Sequence, residues 1–149
     1  MKNSSFSFFA FSLLICLLVS SCADPAVKQA AGYANLKLAN SGAPYRWQST
    51  ADGRGLERHL VDAPVVATIA DEQLHRDILV NIGRAEVQRG GETIPQLIET
   101  RAFGKSAKGT TEIWLVSRKG QSIAYVVTMK PSPEGGTDLH IEGGLPVVR

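Results

Sequence analysis

Three textures follow one another along the chain. From Phe6 to Val19 nearly every position is apolar. That run falls short of the ~20 residues a spanning helix takes, and its polar flanks predict the hydrophobic stretch of a signal peptide over residues 1–21. From Ala23 to Pro44 the residues are mainly Ala, Asn, Ser and Gly. Tyr33, Leu36 and Leu38 offer a marginal helix there, but Gly32 and Asn40-Ser41-Gly42 interrupt it. The segment 22–44 therefore reads as a flexible tether with a root-mean-square reach of ~25 Å. Tyr45-Arg46-Trp47 marks the first packing residues of a single domain over 45–149, and Asp52-Gly53-Arg54-Gly55 reads as a turn.

Within that domain, Leu74, Ile78 and Ile82 recur every four residues, with Leu79 beside them. The spacing predicts a helix over Asp71 to Ile82, started by Asp71 and Glu72 and stopped by Gly83. After Gly90-Gly91 come short β-rich runs near Gln96–Phe103, Thr111–Ser117, Ser122–Met129 and Thr137–Glu142. Their short connections predict an antiparallel meander of four strands. On the two middle strands Ile113 and Leu115 oppose Trp114 and Val116, while Ile123, Tyr125, Val127 and Met129 oppose Ala124 and Val126. Strands apolar on both sides require cover on both faces. The helix supplies one cover; the other must come from the Tyr45–Val66 region, a second subunit in a homodimer, or a ligand. The fold class is α+β, one small sheet with at least one packed helix. This arrangement resembles the curved sheet around a helix of the cystatin and nuclear-transport-factor-two superfamilies, a likeness of architecture that implies no function.

Composition narrows the function only by exclusion. The formal net charge of +2 provides no global field for nucleic acid, and no aromatics interleave with basic residues as single-strand binding needs. The two cysteines are Cys16, inside the apolar run, and Cys22 just after it, so the chain beyond residue 22 can form no internal disulfide.

Leu18-Val19-Ser20-Ser21-Cys22 resembles the lipobox of bacterial lipoprotein precursors: an aliphatic residue, two small residues, then cysteine. Small side chains admit the backbone to a peptidase at the membrane surface, and the Cys22 thiol is the atom that takes diacylglycerol. The resemblance implies cleavage before Cys22 and attachment through several acyl chains, enough for lasting anchorage. Ala23 stands where aspartate would retain the protein in the inner membrane of enteric bacteria, which favours the outer membrane, facing the periplasm; Asp24 comes one place later.

Candidate chemistry is sparse. Asp138, His140 and Glu142 share one face of a strand, and imidazole with carboxylates can bind zinc or move protons. Neighbours on such a face stand ~7 Å apart, so a shared metal would need a further ligand; the simpler reading is a solvated polar face, with no metal and no cofactor. His59 and His75 lack a metal-ligand repeat, and there is no Gly-x-Ser-x-Gly elbow. Gly104-Lys105-Ser106 imitates the end of a phosphate loop, but Glu99 occupies the place of its first glycine. Arg54, Arg58, Arg76, Arg84, Arg89 and Arg101 would contact phosphates only if they converge. Trp114 and Tyr125 read as core. The expectation is a membrane-anchored envelope lipoprotein that binds an envelope partner without catalysis. A small envelope enzyme using Asp138, His140 and Glu142, and a carrier of lipid or another small ligand, are the alternatives.

Overall fold

The computed structural model describes residues 24–106 and 109–149. Helix α1 (Pro25–Leu38) leads into a hairpin of β1 (Tyr45–Ser49) and β2 (Leu56–Leu60). Helix α2 (Glu72–Val87) follows, then β3 (Leu97–Ser106), β4 (Gly109–Arg118), β5 (Gln121–Pro131) and β6 (Thr137–Val147). The last four strands form one antiparallel sheet in the order β3-β4-β5-β6, a meander. The fold is α+β with a packed helix, as the alternation of faces predicted.

Each face of the sheet is covered by the chain itself. On one side Ile78 and Ile82 of α2 seat against Trp114, Val116, Ile123, Tyr125 and Val127, all buried. On the other, Tyr45, Leu60, Val61 and Ala63 pack over Ile113, Leu115, Ala124 and Val147. Farther along this second face the apolar alternation gives way to Thr111 and Thr128, their hydroxyls 3.3 Å apart. The chain between the two covers passes along the outer edge of β3. There the Val66 N–H donates to Thr100 O (3.0 Å) and the Ala102 N–H to Pro64 O (2.9 Å).

Three elements differ from the sequence expectation, each for a physical reason. The segment read as a tether is helical from Pro25 to Leu38 and docked. Asp24 caps it by accepting from the Ala26 N–H at 2.8 Å, with Pro25 at the first turn, where no N–H is needed. Asn35 then mimics a strand partner for β1: its amide donates to Trp47 O and its carbonyl accepts from the Trp47 N–H, both at 2.8 Å. These contacts tie the helix to the β1–β2 hairpin. Strand β6 runs on past Glu142 to Val147 because Gly143 and Gly144, at φ of 115° and 85°, form a bulge in it.

Gly83 does not stop α2. A Cβ on Gly83 would lie 1.8 Å from the carbonyl oxygen of Thr93, so this position lets the following loop cross close over the helix. Alanine would favour an open helix by about 1 kcal/mol. Here the sign is expected to reverse: Gly83→Ala should destabilise by about 1–3 kcal/mol through overpacking. A urea-midpoint comparison checks this, and a rise in stability would mean that the Thr93 crossing is not seated there.

Candidate functional site

Strand β6 places its three polar candidates as the alternation requires. Leu139 and Ile141 pack toward the α2 side, while Asp138, His140 and Glu142 face the opposite way, paired in register with Lys130, Thr128 and Val126. They stand on the half of the face that the hairpin leaves open. His140 Nε2 lies 3.6 Å from Glu142 Oε2, with the two side chains 69% and 59% exposed. Asp138 is exposed as well. Water reaches the three and screens their charges. Among the described residues, no group of three or more His, Cys, Asp or Glu could hold a metal ion.

The other sequence candidates are dispersed. Cys22 lies outside the described residues. His59 pairs with Glu57 at 2.8 Å on β2, and His75 rests against the Trp114 ring at a centroid distance of 5.1 Å. Gly104 and Lys105 extend β3 and open no helix, the opposite of a phosphate loop. The arginines do not converge. Arg54 sits on the β1–β2 loop, while Arg76 and Arg84 lie on α2. Arg101 is paired with Glu99 at 2.7 Å, and Arg58 is stacked 4.6 Å over the Trp47 ring. Trp114 and Tyr125 are core residues.

The strongest electrostatics lie at two buried carboxylates that local sequence reading missed. Glu86, fully buried on α2, accepts both guanidinium arms of Arg118, through Nε at 2.5 Å and through Nη2, and the Tyr125 hydroxyl at 2.5 Å. Burial pushes the Glu86 carboxyl up, but the Arg118 and Tyr125 hydrogen bonds and the charges of Arg118 and Arg89 hold it below its usual value. Burial, and then the hydrogen bond to Glu86, push the Tyr125 phenol up to about 12. Glu112 on β4 accepts from Thr68 Oγ1 (2.7 Å), the Ile69 N–H (2.9 Å) and Trp114 Nε1 (2.9 Å). Both clusters join segments distant in sequence, α2 to β4 and β5 in the first, residues 68–69 to β4 in the second. With their oxygens occupied by protein donors, these carboxylates act as structural ties and offer no acid or base to a substrate.

A signal for both was present. Glu86 continues the stripe of Leu74, Ile78 and Ile82 by one more step of four, and Glu112 shares the inward parity of Trp114 and Val116. A carboxylate on an apolar stripe predicts a buried partner.

Two surface features remain near β6. A groove of about 410 Å³ between α2 and β6 is bordered by Arg89, Tyr125, Ile141 and Glu142. The outer edge of β6 over Thr137–Ile141 carries no partner strand among the described residues, whereas its far end joins β2 through Val148. No family model, no curated protein and no solved structure matches this chain.

Proposed function

We propose that the protein is a bacterial cell-envelope lipoprotein, anchored by lipid on Cys22 in the outer membrane and facing the periplasm, that serves as a non-catalytic binding or structural accessory. The observation that carries this reading is the juxtaposition of the lipobox with a folded domain whose first capped residue, Asp24, comes two places after the modified cysteine. No helix among the described residues is long and apolar enough to cross a membrane. The lipobox offers covalent lipid as the means of attachment.

The non-catalytic half of the reading draws support from where the ionisable groups stand. The buried ones are consumed by ties within the fold, and the exposed cluster on β6 is open to water, with Glu142 at the rim of open grooves. A strand edge left open offers backbone donors and acceptors to a partner strand, and flanking charges restrict which strand can pair. The partner class is an envelope protein. An enzyme built on Asp138, His140 and Glu142 would need a cleft that holds all three, whereas the grooves at this strand are bordered by Glu142 without Asp138 or His140. A carrier would need an internal cavity, whereas both cores are closed by large buried side chains.

Two measurements test the halves separately. Growth with an alkyne-tagged fatty acid should label the wild-type protein and leave Cys22→Ala unlabelled; labelling of both would place the lipid elsewhere. Photo-reactive residues along the β6 edge should yield one abundant protein adduct in cells. His140→Ala should keep that adduct, and loss of a small-molecule conversion in that variant would move the reading to the enzyme.

A further inference from the structure

Helix α1 has two apolar faces and only one is used. Val27, Ala31, Ala34, Asn35 and Leu38 turn toward the domain, with Ala31 buried. Around the helix from them, Ala26, Ala30, Tyr33 and Leu36 are exposed, Tyr33 at 63% and Leu36 at 76%. Residues 25–38 contain no Asp or Glu, and their two charges are Lys28 and Lys37. Lys37 extends its ammonium over the Tyr33 ring at 4.7 Å, in the middle of the exposed face. An apolar face that carries a tyrosine and a lysine, and no acid, is the composition of a helix that lies in a lipid headgroup region.

Covalent geometry says what stands opposite. The Asp24 N–H donates to Gly53 O at 3.2 Å, which pins the start of α1 to the β1–β2 loop. Only Ala23 separates Asp24 from Cys22. Two trans peptide steps span at most about 7.6 Å, so a lipid on Cys22 brings the head of α1 and the loop bearing Arg54 to the bilayer surface. A tether reaching ~25 Å would have left the domain free to turn in any direction; a docked helix does not. At 14 residues α1 is too short to span a bilayer, which takes ~20, so its exposed face can meet lipid only by lying along the surface.

We infer that the outer face of α1, from Ala26 to Lys37, rests on an anionic phospholipid surface, and that it fixes the domain in one orientation with the Arg54 loop against the headgroups. This inference rests on the lipid anchor proposed above. The occupant is lipid, because the attachment point lies two residues before the helix cap, the face is apolar, and its one charge, Lys37, complements phosphate. Fixed in this way, the domain offers its remaining surfaces to the envelope space in a set direction.

The test uses the lipidated protein purified from bacterial membranes and placed in vesicles of phosphatidylethanolamine and phosphatidylglycerol. With the Cys22 thiol blocked by its lipid, Leu36→Cys and Val80→Cys each carry a single polarity-sensitive fluorophore, the second on the exposed side of α2. Co-flotation with the vesicles reads the anchor, and quenching by a spin-labelled lipid reads the orientation. The expected result is co-flotation of both, with the probe at 36 blue-shifted and quenched several-fold more than the probe at 80. Co-flotation with equal quenching overturns the inference and leaves the anchor standing. Failure of the unlabelled wild-type protein to float overturns the anchor and the inference together.

Discussion

Arg118→Ala is expected to lower the unfolding free energy by about 3–5 kcal/mol, the cost of leaving a buried carboxylate without its cation. The loss arises at Glu86, which has no contact with water and would keep only the Tyr125 hydroxyl as a direct side-chain donor. Glu86→Ala should cost a similar amount by stranding Arg118. The double variant should cost well under the sum, because each single change already removes the same interaction. Chemical denaturation of the four proteins checks this, and additive losses would show that the two residues act independently. The pH dependence has a definite sign. The folded Glu86 carboxyl is held below its ordinary value of 4.5. Its contribution is therefore complete above that value and is lost as the pH falls through the depressed folded value. Tyr125 acts at the other end: its phenol is raised from 10.0 to about 12, so stability is expected to decline as pH climbs through that interval. The wild type should lose more stability on acidification than Glu86→Gln does.

Trp114→Ala should cost about 3–5 kcal/mol, the usual toll of emptying a large aromatic site in a core. The ring is fully buried in the core shared with α2, and it donates Nε1 to Glu112. Trp114→Phe separates the two roles. It keeps an aromatic ring in the site but leaves Glu112 one donor short, and about 1–3 kcal/mol is expected for that alone. The order wild type, Phe, Ala in urea midpoint is the expected outcome; a Phe variant as stable as wild type would mean that the indole N–H contributes nothing.

The meander was legible because its strands alternate apolar residues over both faces and are joined by short polar turns. Lys119 and Gly120, at φ of 49° and 80°, form the two-residue connection between β4 and β5 that such turns favour. Helix α1 was hidden because its inward face has few large apolar residues, Val27 and Leu38 beside Ala31 and Ala34, and its docking depends on Asn35 reading the backbone of Trp47, twelve positions away. The β1–β2 hairpin was hidden too. Tyr-Arg-Trp-Gln-Ser and Leu-Glu-Arg-His-Leu put charged or polar residues in the middle of both strands, and Arg58 is accommodated by stacking on Trp47. Polar Asp138, His140 and Glu142 were legible as a strand face, and the structure adds that the face is open. Glu86 and Arg118 are 32 positions apart, so neither announces the other within any local window.

These parts join into a single account. In the proposed reading, a short covalent link joins a lipid on Cys22 to a helix docked on its domain, whose distant segments are tied by the Glu86–Arg118 pair. The claim on which the rest depends is the chemistry at Cys22. Intact-mass and N-terminal fragment analysis of the protein extracted from bacterial membranes tests it most directly. The expected species begins at Cys22 and carries the mass of diacylglycerol on its sulfur. A chain that retains residues 1–21, or that begins elsewhere with an unmodified Cys22, would contradict the account.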